Sequence, residues 1–486
     1  MKNSCKSANQ TGEPSGAPQY RSAGHRLGVS GRRNSCRDHA RRSKPSRLAR
    51  AATLAVLGLT AISVHATNTN VTWNAELTLK ETYDDNVYLQ DNAPTLANVV
   101  AAQAVGFKPV EANQGSFVTS ILPKVGLDYK PCSAFKLSLG YAPEIAFYHS
   151  TPSEDYVTHR ALFNFSGKAG DATWELLNTA TYIDGSREGP TFARPDDIPA
   201  IGGIPLRDRR AAFIFRNSFL LTEPVGKWFF RPVASSYIHD FKTDQHYQTS
   251  VEKAMFSYEN YVDRQEISGG ADVGYDIGKK TWLVAGYRYG RQDQFTLPGA
   301  GGTTLHSTYG NAFHRILLGV EGNPASWFKL AVLAGPDIRQ FDSGTPAGFD
   351  RNRFLYYWDA SATLLPDKSD TVTLKSTRYE QPAFSSFSMY EDIKTDLSWR
   401  HKFCDQFTAA LGFTLYIGDW QLPVNRNDWI YTPSAGLTYN YNKHLSAELT
   451  CSYDWVDSKV SASVEPLTSS HEFTRNLVSL AVKYAF

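Results

Sequence analysis

Cysteine and methionine are scarce in this chain, at 5 and 3 of 486 positions. Cys5 and Cys36 fall in a basic N-terminal segment, which leaves Cys132, Cys404 and Cys451. An odd number without CxxC or Cys/His spacing argues against a zinc site and supplies no disulfide framework. An oxidising compartment permits a disulfide. Even so, Cys132 and Cys404 lie in separate turns of the pattern described below and are not expected to pair. Long apolar runs are missing as well: outside the N-terminus nothing approaches the ~20 apolar residues of a membrane helix. GxSxG, HExxH and a phosphate loop set between strand and helix are absent, and the glycine-rich stretch 298–302 has no helix pattern after it. No enzyme, cofactor or metal is therefore expected. His149 with Ser150 and His239 with Asp240 are the pairs a barrel-type hydrolase would use near its rim; solvated rim residues are the plainer reading.

A basic patch is lacking too, once the N-terminus is set aside. Of 50 Lys and Arg and 48 Asp and Glu, residues 1–66 hold 12 and two, which leaves 38 bases against 46 acids, a net charge near −8. Such a chain does not suit nucleic-acid phosphates. Residues 40–50 are basic, 51–64 (AATLAVLGLTAISV) are apolar, and Val64-His65-Ala66 resembles a cleavage site before Thr67. These are the n-region, h-region and cleavage site of a secretory signal, with an extended basic n-region. Residues 1–66 are read as that signal and 67–486 as the mature domain.

What is abundant is aromatic residues, 13% of the chain, set in alternating runs. Period-two alternation marks strands with two unlike faces. Such runs fall at 72–83, 117–129, 135–147, 160–169, 173–183, 209–221, 228–241, 261–276, 281–291, 312–322, 327–339, 353–365, 371–380, 391–401, 406–417, 428–441, 445–456 and 475–486. Short and long connections alternate without exception. The expected fold is all-β: a closed antiparallel transmembrane β-barrel of about 18 strands (16–18), with short periplasmic turns and long outer loops, in the bacterial outer membrane. In run 445–456 the outward face reads Leu445, Ala447, Leu449, Cys451, Tyr453 and Trp455, with no charge at mid-depth.

The opposite parity predicts a lumen lined by Lys124, Arg216, Arg231, Glu266, Asp272, Arg288, Arg315, Glu321, Arg339, Asp359 and Lys375. Lys80, Arg210, Lys329, Glu76, Asp128, Glu144, Glu175, Asp396, Glu448 and Asp454 share it, as do the aromatics Tyr237, Trp282 and Tyr357. Mixed charge of this kind sets up a transverse field that tunes solute preference; mutual pairing inside a filled lumen is the alternative. Residues 94–105 (PTLANVVAAQAV), in the first long loop, are short and apolar and fit either a helix constricting the lumen or a loop packed on its neighbours. Asp84-Asp85-Asn86 fits a turn closing a strand, or a rim cation site.

The stretch 81–88, with Tyr83-Asp84-Asp85-Asn86, resembles the opening strand of the β-barrel porin 2 family of Gram-negative outer membranes. The resemblance implies location and fold and no defined solute. The last strand ends in Tyr484 and Phe486 and resembles the C-terminal signal read by the barrel assembly machinery. The expected function is a porin-like channel for passive diffusion of small hydrophilic solutes. A structural or accessory barrel linked to polysaccharide export or surface recognition is the alternative. Expected partners are the lipid bilayer and lipopolysaccharide, the assembly machinery and small solutes, and a homo-oligomer is compatible. Mass spectrometry of the protein from an outer-membrane fraction is expected to read Thr67 as the first residue; a mature chain that retains residues 1–66 would refute the signal.

Overall fold

The computed structural model describes residues 70–89, 91–92, 111–184, 211–242, 262–296, 304–345, 347–383, 388–422, 425–460 and 472–486. These residues form eighteen long strands. The first six are β1 (Val71–Asp84), β2 (Ser116–Cys132), β3 (Phe135–Tyr141, continued by Glu144–Tyr148), β4 (Tyr156–Ala169), β5 (Ala172–Asp184) and β6 (Ala211–Val225). Then come β7 (Trp228–Phe241), β8 (Asp263–Gly278), β9 (Thr281–Thr296), β10 (Asn311–Ala325), β11 (Phe328–Phe341) and β12 (Asn352–Leu364). The last six are β13 (Asp370–Pro382), β14 (Met389–Lys402), β15 (Phe407–Trp420), β16 (Arg426–Asn440), β17 (Leu445–Val460) and β18 (Phe473–Ala485). Pro143, which has no N–H to offer a ladder, interrupts β3, yet both parts pair with β2 and β4. The two-residue strand Leu305–His306 pairs back onto the end of β9.

Each strand pairs antiparallel with its sequence neighbours, and β1 pairs with β18 in the register Glu76↔Ala485 to Asp84↔Leu477. That last ladder, nine residue pairs long, closes the sheet on itself. Thr82 and Ser479 share a 2.8 Å hydroxyl hydrogen bond across this seam on the inner face. At one end the connections are tight. Lys279 and Lys280 both take positive φ (53° and 54°), the geometry of a two-residue type I′ hairpin turn.

Side chains alternate as the sequence predicts. Leu449 and Trp455 on β17, Phe354 and Tyr356 on β12, and Val478, Leu480 and Tyr484 on β18 all stand exposed on the outer surface. The free thiols of Cys132, Cys404 and Cys451 are exposed too. The strands run further than the sequence pattern suggests at the end with long connections: β9 reaches Thr296, β15 reaches Trp420 and β17 reaches Val460. Two connections expected to be long, 381–390 and 418–427, accordingly shrink to 383–388 and 421–425. Segregation of loop length is weaker there, because polar residues near these strand ends still find ladder partners.

One ladder, among the described residues, stops short while both its strands continue. β12 and β13 pair only from Trp358↔Arg378 to Leu364↔Val372, so the stretch Asn352–Tyr357 has no β13 partner. β13 nevertheless keeps pairing with β14 up to Pro382↔Met389, and β14 with β15 up to Tyr390↔Trp420. The upper parts of β13–β15 therefore part from β12 as one sheet. Closure is testable with Thr82→Cys/Ser479→Cys in a chain whose Cys132, Cys404 and Cys451 are serine. Oxidation is expected to link the N- and C-terminal tryptic fragments in one chain, whereas an open sheet would give no such linkage.

Candidate functional site

The parted ends of β13–β15 lean into the barrel. Three contacts fix the direction, each made to a strand that β13 does not adjoin. Gln292 on β9 donates to the Glu380 carbonyl (2.9 Å), Gln294 on β9 donates to the Ala383 carbonyl (2.7 Å), and Arg264 on β8 donates to the Pro382 carbonyl (2.6 Å). Behind the lean, Glu380 meets Arg339 of β11 (3.4 Å) and Arg353 of β12, and Glu391 meets Arg353 (3.3 Å) and Arg378. Arg378 also donates to the Tyr356 carbonyl, covering part of the edge that β12 leaves bare. By parity Arg378, Glu380 and Glu391 belong to the outward face. The lean turns that face against the inner surfaces of β11 and β12, so Glu380 is fully buried without touching the exterior. The sequence reading missed all three because parity alone assigns them outward, and nothing local announces that a ladder stops.

In front of the lean the two walls touch. Ala383, Tyr390 and Trp420 pack with Ile183, Ala212, Ile214 and Phe241 of β5–β7, on the far side of the ring. Tyr390 and Trp420 stack at 4.5 Å. Above them Tyr309, Phe341 and Met389 form a second cluster, and the Tyr309 hydroxyl donates to the Leu422 carbonyl (2.7 Å). Burial raises the Tyr309 hydroxyl above the ordinary tyrosine range, which keeps it a donor there. The lumen is thus pinched at the long-connection end.

Below the pinch lies a chamber of about 1370 Å³. Its lining includes the basic residues Lys80, Arg216, Arg264, Arg288, Arg315, Lys394 and Arg475 and the acids Glu266, Asp359, Asp392, Glu448 and Asp454. Hydroxyls fill much of the rest, among them Ser434, Thr432 and Ser479. Arg315 is held between Asp337 (3.1 Å) and the faces of Phe313 and Tyr357 (4.1 and 4.6 Å to the ring centroids). Arg475 is clamped on Asp454 (2.6 and 2.9 Å).

Of the residues expected in the lumen, Arg216, Glu266, Arg288, Arg315 and Asp359 line the chamber. Arg231, Asp272 and Glu321 form a chain along the inner wall nearer the tight turns: Arg231 holds Glu321 bidentately (2.8 and 2.9 Å) and Asp272 at 2.9 Å, and Asp272 also takes Arg288 (2.7 and 3.0 Å). Arg339 belongs to the pinch. Lys124 pairs with Glu76 (3.2 Å), and Lys375 faces Asp396 across the β13–β14 ladder. Tyr237 and Tyr357 line the chamber, but Trp282 sits in a separate recess with Glu321 and Lys329, so the three aromatics form no common track. Arg210 and the segment 94–105 lie outside the described residues.

His239 is a buried strand residue stacked on Phe241 (4.3 Å), not a solvated rim group, while Asp240 pairs with Lys242. His149 meets Thr119 (2.8 Å) and Glu81 (3.8 Å). Asp84 accepts from the backbone N–H of Asn86 (3.0 Å) in an Asx turn, and Asp85 accepts twice from Asn476 (both 2.7 Å), which fastens the turn to β18. Among the described residues no group of three or more His, Cys, Asp or Glu could hold a metal ion. Tyr484 and Phe486 both stand outward, ring to ring at 5.0 Å.

No family model matches the chain, and no curated protein does. Solved structures do. The chain is similar to the copper transporter OprC, with a TM-score of 0.43 and 8% identity over 86% of this chain and 81% of that one. It is also similar to the outer membrane protein opdK from Pseudomonas aeruginosa, with a TM-score of 0.38 and 10% identity over 85% and 98% of the two chains. OccAB3 from Acinetobacter baumannii gives a TM-score of 0.38 and 10% identity over 85% and 99%.

Arg339 tests the closure network directly. Arg339→Leu leaves Asp337 and Glu380 buried without their shared cation, and breaking a buried pair on one side costs about 3–5 kcal/mol. A lower urea midpoint of the detergent-folded protein is expected; an unchanged midpoint would remove the network from the barrel's stability.

Proposed function

We propose that this chain is a porin-like channel of the bacterial outer membrane, passing small hydrophilic solutes by passive diffusion. The carrying observation is a closed barrel whose inside is a chamber of about 1370 Å³ lined by charges of both signs and whose outside exposes Trp, Tyr, Phe and Leu on strand after strand. Exposed apolar surface on that scale marks a lipid- or protein-facing surface. In hydrocarbon an unpaired backbone group costs several kcal/mol, which the β1–β18 ladder avoids at the seam, and the bare stretch Asn352–Tyr357 lies at the long-connection end. In this reading the tight turns face the periplasm and the other connections face outward, both N- and C-terminal strand ends lie at the periplasmic side, and Tyr484 and Phe486 are the features read by the assembly machinery. Bilayer lipid and lipopolysaccharide cover the outer face. The reading assigns no catalytic step and no cofactor, and it agrees with the resemblance of residues 81–88 to the β-barrel porin 2 family.

Polar walls that carry both signs of charge at short range offer partners to cationic, anionic and dipolar solutes alike. Contact between opposite walls at Tyr390, Trp420, Ile214 and Phe241 favours the second reading, an accessory or recognition barrel that conducts nothing. Planar bilayers separate the two. Purified folded protein is expected to give discrete conductance steps, and their absence from a correctly inserted, heat-modifiable preparation would overturn the channel.

A further inference from the structure

The inward lean leaves two sets of groups that cannot be satisfied together. Resting on the channel reading above, we infer that the upper parts of β13–β15 are a hinged gate. Closed, they cross the lumen; open, they swing back to the wall and resume the ladder with β12. The β12–β13 register, carried upward from Trp358↔Arg378, would set Tyr356 opposite Glu380 and Phe354 opposite Pro382. Opening thus exchanges side-chain bonds, ion pairs and the apolar contact of Tyr390 and Trp420 with Ile214 and Phe241 for backbone bonds. It gives up the bonds from Gln292, Gln294 and Arg264 to the carbonyls of 380, 383 and 382, together with the Arg339–Glu380 and Arg353–Glu380 pairs. It gains backbone bonds along the bare edge of β12, one of whose carbonyls, on Tyr356, now depends on the Arg378 side chain. Exchange between two discrete packings is what makes an element bistable.

The sequence of the moving part fits a swing of this kind. β13, β14 and β15 keep complete ladders with one another and move together, and because β15 stays paired with β16 up to Trp420↔Arg426 the swing bends the sheet across that ladder without detaching it. The hinge lies where β12 and β13 last pair, at Trp358 and Arg378, and Arg378 sits over the Trp358 ring (5.5 Å). Glu380 and Glu391 are direct cross-strand partners, an arrangement that repels unless cations intervene. In the closed form Arg339, Arg353 and Arg378 supply those cations. Opening withdraws Arg339 and Arg353, so the acid pair biases the gate shut.

Two disulfide locks test the gate in the full mature chain, with Cys132, Cys404 and Cys451 replaced by serine. Gln294→Cys/Ala383→Cys ties the moving edge to β9 inside the lumen, and Phe354→Cys/Pro382→Cys ties it to β12. In planar bilayers the first lock, once oxidised, is expected to abolish conductance steps until reductant is added. The second is expected to form spontaneously in a fraction of molecules and to hold the channel in its largest step. Steps that persist at full size through the oxidised first lock overturn the gate while leaving the channel standing, as does failure of the second lock to form in a conducting protein. No steps in any form, the second lock included, overturns the channel reading itself.

Discussion

The ladder between β1 and β18 is the constraint on which the rest of the barrel depends. A strand edge offers a row of unpaired donors and acceptors, and only a sheet that meets itself has none. Once the ring is closed, the two-residue side-chain period sorts every strand into an inside and an outside at once. Apolar rings then cover one surface, and charges, amides and hydroxyls collect on the other. The register Glu76↔Ala485 to Asp84↔Leu477 sets that sorting for both terminal strands, and a slip of one residue would turn Tyr484 and Leu480 into the lumen.

Against that background the break between β12 and β13 is informative. A barrel that closes its seam with nine residue pairs leaves six residues of β12 without a strand partner on one side. The missing bonds are replaced by side chains: Arg378 caps Tyr356, and Arg339 and Arg353 neutralise Glu380 in a region shielded from solvent. Buried ion pairs are a weak source of net stability, because desolvation offsets much of their attraction, but losing one partner is strongly unfavourable. They therefore specify the inward position of β13–β15 more than they strengthen the barrel, and the hydrophobic contact of Tyr390 and Trp420 with Ile214 and Phe241 completes it.

The chamber follows the same logic of pairing. Arg231, Asp272, Arg288 and Glu321 are tied flat along the wall, and Arg315 is held by Asp337 and two rings. Charges fixed in this way hold their positions, and they keep the cavity from collapsing, since each would have to be desolvated to close it.

Alternation, the eighteen strands, the tight turns and the inner parity of Arg216, Glu266, Arg288, Arg315 and Asp359 could be read from the sequence, because each rests on neighbours one or two positions apart. Outward parity for Leu449, Trp455 and Tyr484 was legible for the same reason. Where strands end was less so: β15 gains its last turnward residues from partners on β14 and β16, far off in the chain. The lean of β13–β15 was not legible at all. The run 371–380 alternates like its neighbours; its one departure is charge on the outward parity, at Arg378 and Glu380 and at Glu391 on the next strand, and that charge does not say that a ladder stops. Only the tertiary structure shows that β12 lets go at Trp358 and that Arg339, dozens of residues away, waits behind. Local periodicity determines which side of a sheet a residue occupies; whether two strands stay paired along their whole length depends on a balance of bonds between distant segments, and that balance exists only once the ring has closed.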